Sequence, residues 1–258
     1  MIIMIIGVPK EIKLQEHRVG LTPYSVKVLY EKGHKVLVET NSGLEAGFSD
    51  EDYLKSGALI YNNAKDIFND AEIIVKVKEP QMSEVKMIKE GQIIYTYLHL
   101  AATRELTEGL IKSKSICIAY ETVTDDNGRL PLLAPMSAVA GRMSIQAGAH
   151  SLEKNQRGRG LLLGGAPGVE PANVVILGGG VVGENAAIIA TGMKGKVYVV
   201  DKSKERLKEL HEMFGDKIIP TESGKTDLKK LISDCDLLIG GVLVPGAEAP
   251  KLVTKEMV

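Results

Sequence analysis

Two groups of residues in this sequence have types and spacings that could do chemistry. The first lies in NVVILGGGVVGENAAIIATGMKGKVYVVD, residues 173–201. An apolar run (173–177) leads into Gly178-Gly179-Gly180-Val181-Val182-Gly183, which fits G-x-G-x-x-G. Gly178 permits a tight turn, Gly180 lets a diphosphate approach the backbone, and Gly183 lets helix and strand pack closely. The helix that follows offers free N–H groups and a partial positive charge to phosphates. Asp201 closes a second apolar run 18 residues after Gly183. A carboxylate there can accept from ribose hydroxyls and repel a 2′-phosphate, which favours NAD over NADP. Glycines alone are weak evidence, but here strand, turn, helix, strand and acid follow in order. The competing reading of Asp201 is a strand-end residue that caps the next helix.

The second group is spread over the first half of the chain. EIIVKVKEP places Lys76 and Lys78 on one face of a strand read over 72–78, with Lys78 at its carboxyl end. IIYTYLHLAA places His99 just past the end of the next strand, and GVPKEIKLQEHRVGLTP places His17 and Arg18 in the loop after the first. Ligands of open α/β sheets bind outside the carboxyl ends of the strands, so Arg18, Lys78 and His99 can meet at one rim. Arg holds a carboxylate with two parallel hydrogen bonds, Lys polarises a carbonyl, and His exchanges a proton near neutral pH. With a nicotinamide cofactor, that set suits hydride transfer on a small amino, hydroxy or keto acid. The plainer readings are a structural His99, strand-end lysines kept for solvation, and an Arg18 paired with Glu16 or Glu11. His17, His34, His150 and His211 have no partners that sequence can identify and are read as structural or exposed.

The elements that must position these residues alternate in type. Strands are read at 2–7, 34–39, 72–78, 92–98 and 115–121, with a possible one in ALIYN. Helices are read at 22–33, with Thr22 as cap, Pro23 at the first position and Gly33 as stop, and at 49–57, in AKDIFND and at 103–113. Strands apolar along most of their length, in βαβα order, argue for parallel sheets covered on both faces. A long helix rich in small residues is expected from about Ser137 to Lys154. The stretch LLLGGAPGVEPANV, dense in Gly and Pro, reads as an inter-domain loop, and a second α/β unit starts at Asn173.

The 258 residues suffice for two domains, and 44% hydrophobic with 25% charged residues describes a soluble globular chain. Thirty-two basic against 33 acidic residues leave no electrostatic footprint for nucleic acid. Cys117 and Cys235 lie far apart without a CxxC partner, so no metal or redox motif is read and reduced thiols in a cytoplasmic protein are expected. The apolar start MIIMII is too short to span a membrane and reads as a first buried strand.

Taken in order, GVPKEIKLQEHRVGLTP, KVKEP, TYLHLAA, LLLGGAPGVEPANVVILGGGVVG and VLVPGAEAPKLV resemble alanine dehydrogenase, in the family that also holds the alpha subunit of nicotinamide nucleotide transhydrogenase. The resemblance covers the whole chain. KVKEP and the histidine of TYLHLAA favour the dehydrogenase over the transhydrogenase subunit. It implies a flavodoxin-like doubly wound substrate domain over 1–134 and a Rossmann NAD-binding domain over 135–258. The reaction implied is reversible oxidative deamination of L-alanine to pyruvate and ammonia with NAD, in a cytoplasmic homo-oligomer, hexameric in the family, with no membrane or nucleic-acid partner. Carried over by position, Arg18 and Lys78 bind the carboxylate or carbonyl side of the substrate, and His99 transfers the proton. Ser137, in APMS, touches the cofactor; Gly178, Gly180, Val182 and Gly183 form its turn; Asp201 holds the adenosine ribose; Val242 and Leu243 pack by the nicotinamide half. No metal is implied.

The resemblance also implies a segment beyond position 258: a loop written roughly DxAxDQGG, whose second Asp partners the histidine, and long helices that return to the first domain. Both domains are therefore expected to be incomplete here and the activity of this length of chain impaired, since a general acid/base partner contributes about 10²–10⁴ in rate. The alternatives are a transhydrogenase alpha subunit and a non-catalytic NAD-binding fragment. The missing C-terminal fragment is a further expected partner.

Overall fold

The computed structural model describes residues 3–243 and 249–257. Within VLVPGAEAPKLV, the stretch 244–248 lies outside the described residues, as do Met1 and Ile2 of the first expected strand. The chain divides into two compact units, Met1–Leu130 and Pro131–Val258.

In the first unit, strands β1 (Ile5–Val8), β2 (Lys35–Glu39), β3 (Leu59–Tyr61), β4 (Ile73–Val75), β5 (Ile93–Thr96) and β6 (Ile116–Ala119) form one sheet. Its order is β3-β2-β1-β4-β5-β6 and every pairing is parallel. Without the short edge strand β3, this is the flavodoxin-like order 2-1-3-4-5. Helices α1 (Pro23–Glu31), α2 (Asp50–Lys55), α3 (Ala64–Asp70), α4 (Met82–Val85) and α5 (Arg104–Ser113) cover it. One face buries Val8, Val36 and Val38 with Val26 of α1 and Tyr53 of α2; the other buries Leu37, Ile74 and Ile94 with Ile67 of α3 and Leu106 of α5. The helix starts follow from local chemistry. Thr22 Oγ1 accepts the N–H of Ser25 at 3.3 Å before Pro23. Ser49 and Asp52 form a reciprocal capping box at the head of α2.

The strand read over 72–78 stops at Val75. Lys76 and Lys78 therefore do not share a strand face: Lys76 is buried, whereas the Lys78 side chain is 29% exposed. Lys76 Nζ meets Glu11 Oε2 at 3.0 Å and Glu84 Oε1 at 2.8 Å, both carboxylates being equally buried. The other Glu84 oxygen, Oε2, accepts the Gln81 N–H at 2.8 Å. Burial pushes the Glu84 carboxyl up, and its attraction to Lys76 offsets this only in part.

In the second unit, β7 (Asn173–Leu177), β8 (Lys196–Asp201), β9 (Ile218–Glu222) and β10 (Leu237–Gly240) pair in parallel in the order β10-β7-β8-β9. Counted within this unit that is 4-1-2-3, the half of a Rossmann sheet that holds its switch point. Helices α6 (Ala134–Ser151), α7 (Val181–Gly192) and α8 (Lys204–Phe214) close on a core of Ile145, Ile176, Ala186, Val199 and Leu210. Helix α9 (Leu228–Ser233) lies on the opposite face with Val175, Leu177 and Val200. Small residues let α6 approach α7: a Cβ on Gly141 would stand 2.2 Å from the Val182 carbonyl oxygen. Lys255–Met257 form a single 3-10 turn.

Removing one partner of a buried charge cluster leaves the others uncompensated, at a cost of about 3–5 kcal/mol. Lys76→Met, which is similar in volume, is therefore expected to destabilise the first unit by about that much in denaturant melts. A loss below about 1 kcal/mol would show that the two carboxylates are accommodated without it.

Candidate active site

The carboxyl ends of β1, β4, β5 and β6 share one rim, and the sheet order switches direction between β1 and β4. That is where a doubly wound sheet opens a crevice. The loop after β1 supplies Glu11, Glu16 and Arg18. Glu16 holds the Arg18 guanidinium in a fork, Nε to Oε1 at 2.8 Å and Nη2 to Oε2 at 2.6 Å, and also accepts the Arg18 backbone N–H at 3.0 Å. The hydrogen bond from Arg18 brings the Glu16 carboxyl down to about 2, with Lys78 contributing from the neighbouring loop. Arg18 in turn is raised by Glu16 and feels Tyr97 and Glu11. Arg18, Lys78 and Tyr97 thus stand within one electrostatic neighbourhood. His17 pairs with Glu45.

Lys78 is fixed through its backbone. Its N–H faces Glu11 Oε1 at 3.4 Å, beside the stronger Val77 N–H bond at 2.6 Å, and its carbonyl accepts from Thr96 Oγ1 at 2.9 Å. The ammonium lies 3.8 Å from Glu79 Oε2. His99 is exposed and adopts left-handed backbone angles, φ 49 and ψ 41. Few non-glycine residues do so without support. The support is Glu121, whose carboxylate accepts the N–H of His99 at 2.6 Å and that of Leu98 at 3.1 and 3.2 Å. Beside it, Tyr120 meets the rings of Tyr95 and Tyr97 edge-on, with centroids 4.4 and 5.0 Å apart. The Arg18–Glu16 pairing is one of the two plainer readings of Arg18 in the sequence; sequence reasoning missed Tyr97 and Glu121. Glu121 had one visible signal, an acid that closes an otherwise apolar strand run.

In the second unit, β7 delivers the chain into the Gly178 turn. Gly178 has φ 98, and its N–H donates to the Val200 carbonyl at 2.7 Å. A Cβ on Gly183 would sit 1.8 Å from the Gly178 carbonyl oxygen, whereas one on Gly180, the cap of α7, would meet nothing within 4 Å. So Gly183 is required by the turn itself, and Gly180 leaves an open face at a helix N-terminus. Asp201 Oδ2 accepts the Gly179 N–H at 2.6 Å and Oδ1 the Ser203 N–H at 2.9 Å. Each oxygen keeps a lone pair for a ribose hydroxyl, so the turn and its acid suit the diphosphate and ribose of a dinucleotide. Gly241 donates to the Leu177 carbonyl at 2.7 Å, and Val242 Cγ2 lies 3.1 Å from the space a Gly178 Cβ would take. Leu243, next along, is 57% exposed. Val182 belongs to the first turn of α7, and Ser137 stands one helical turn before Gly141 on α6, half-buried. Among the described residues, no cluster of metal-ligating side chains occurs.

A glycine turn at a switch point, an acid closing the next strand and a basic rim on a second doubly wound sheet define a two-domain nicotinamide-dependent oxidoreductase. Comparison with known proteins narrows the class. Residues 7–140 match the family described as alanine dehydrogenase/PNT, N-terminal domain, and residues 144–258 its C-terminal domain. The alanine dehydrogenase of Methanococcus maripaludis is 53% identical over 255 residues, 99% of this chain and 68% of that protein. That of Halomonas elongata is 53% identical over 254 residues, 98% of this chain and 68% of that one. A solved L-alanine dehydrogenase superposes with a TM-score of 0.88 at 52% identity, covering 98% of this chain and 70% of the other. A transhydrogenase from Sinorhizobium meliloti shares the fold, with a TM-score of 0.79 at 24% identity over 98% of this chain and 74% of its own. The chain belongs to the alanine dehydrogenase/PNT family.

Two glycines separate folding from binding. Gly183→Ala is expected to unfold the turn and lower the melting temperature. Gly180→Ala should cost under about 1 kcal/mol, yet weaken NADH more than about tenfold by filling the open face. Equal effects of the two on melting would contradict this assignment.

The Glu16–Arg18 pair has its own signature. The Glu16 carboxyl lies near 2 when folded, below its ordinary 4.5, so the pair's stabilisation is full above that ordinary value and is lost as pH falls toward 2. Thermal melts of Glu16→Gln should therefore decline less steeply across that acid range than those of the parent. Parallel slopes would show that the pair contributes nothing.

Proposed function

We propose that this protein catalyses the reversible, NAD-dependent oxidative deamination of L-alanine. Alanine, NAD⁺ and water give pyruvate, ammonium, NADH and a proton. The observation that carries the reading is identity above one half to alanine dehydrogenases along nearly the whole chain. NAD, when bound, takes the hydride from the substrate Cα.

The remaining roles belong to this chain's own residues, and the geometry supports them. Arg18, forked by Glu16, and Lys78 both act on the Glu16 carboxyl at the switch point, and a guanidinium and an ammonium are the groups that bind a small carboxylate and polarise a carbonyl. His99, held at the same rim by Glu121, is the proton-transferring group. Gly178, Gly180, Val182 and Gly183 form the diphosphate turn, Asp201 holds the ribose, and Ser137, Val242 and Leu243 complete the cofactor contacts. The protein is read as a cytoplasmic homo-oligomer. The thiols Cys117 and Cys235 are free, and among the described residues no helix is long and apolar enough to cross a membrane.

The test is L-alanine-dependent NADH formation by the purified gene product, with pyruvate as co-product. His99→Gln and Lys78→Met should each lower kcat/KM by about 10²–10⁴ with NADH affinity kept. Absence of alanine dependence, with hydride passing between two nucleotides instead, would favour the transhydrogenase reading.

A further inference from the structure

Gly179 is the variable position between the first two motif glycines, and side chains from the end of β8 and the start of α8 hold both ends of its backbone. Its N–H goes to Asp201 at 2.6 Å, and its carbonyl oxygen accepts from Arg206 Nε at 2.7 Å. Arg206 sits in the first turn of α8, where its own N–H is taken by Ser203 Oγ at 3.1 Å. The rest of its guanidinium is also committed, to Glu184 in the first turn of α7 and to Glu209 at 2.7 Å. Burial opposes its charge, and the two carboxylates more than offset that, so Arg206 stays above its ordinary range.

The geometry of one peptide gives this arrangement a function. The described residues contain no cis peptide bond. In a trans unit the C=O and N–H point in opposite directions. Anchoring the Gly179 carbonyl toward α8 therefore turns the Gly180 N–H away from α8, at the head of α7. Gly180 is also the residue whose added Cβ would meet nothing within 4 Å.

We propose that Arg206 is a positioning residue for the cofactor: it sets the Gly179–Gly180 peptide so that the Gly180 N–H is presented to the diphosphate. The proposal rests on NAD binding at this turn. It also bears on cofactor choice. A guanidinium already shared between two carboxylates is poorly placed to recruit a 2′-phosphate, although it stands beside the ribose acid.

Calorimetric titration of Arg206→Gln and Arg206→Lys with NADH, ADP-ribose and adenosine tests this. Adenosine keeps the ribose but has no phosphate. Arg206→Gln is expected to weaken NADH and ADP-ribose about tenfold, the effect of losing one charge-assisted hydrogen bond, and to leave adenosine within about twofold. Arg206→Lys, which keeps the charge and one donor, should recover most of the loss. Equal weakening of adenosine and NADH, or unchanged NADH affinity, would overturn the proposal. If Arg206→Gln fails to melt cooperatively, Arg206→Lys decides: a residual loss of NADH affinity of about two- to threefold with adenosine unchanged is expected, and no loss, or an equal loss for both, overturns the proposal. A parent protein that binds neither NADH nor ADP-ribose would instead sink the NAD reading itself.

Discussion

A buried lysine cannot be left alone, and much of the first unit is arranged around that constraint. Lys76 leaves the sheet where β4 ends and is met by Glu11 from the loop after β1 and by Glu84 from α4. The segments after β1 and after β4 that carry them flank the switch point. Charge satisfaction thus ties together the two sides of the crevice that a doubly wound sheet opens there. Glu11 does more than pair: its other oxygen takes the backbone N–H of Val77, next to Lys78. The accessible lysine of the rim is placed by its inaccessible neighbour's partner. Replacing the cluster by packed apolar side chains could preserve stability while losing this registry.

The second unit solves a similar problem with backbone rather than charge. Three close approaches depend on missing side chains: Gly141 against α7, Gly178 against Gly241, and Gly183 against Gly178. They bring α6, the turn and the loop after β10 together at the head of one helix. That helix start carries no side-chain cap, so its N–H groups stay directed outward, as an anion site needs. The two units are therefore built on different devices, one a rim of paired cations and carboxylates and the other an open glycine turn at a helix start.

Much of this was legible in the residues. The Thr22-Pro23 and Ser49 caps mark helix starts because their chemistry is local, and the span Asn173–Asp201 is a complete local motif. The long helix begins at Ala134 rather than near Ser137; Pro135 in its first turn was the available signal. It ends at Ser151, before Lys154. The KVK stretch was misleading for a physical reason. Alternating residues suggested a strand with two lysines on one face, but Lys76 turns inward toward a carboxylate 65 positions away. No local pattern encodes such a partner. The same holds for Glu121, which fixes His99 from the 3-10 turn just after β6, and for Arg206, whose bond to Gly179 spans 27 positions. The residues proposed for the chemistry were visible by type, whereas the partners that hold them in place belong to tertiary structure.

Asp201 illustrates how these layers constrain evolution. One carboxylate serves the turn through Gly179 and the following helix through Ser203, besides the ribose role proposed for it. A change of cofactor by mutation at this position would also release the backbone of the glycine turn, so the intermediate sequence would bind either nucleotide poorly. Such coupling makes cofactor preference hard to drift by single steps. A lineage that changed it would need a second donor-holding arrangement for Gly179 in place beforehand.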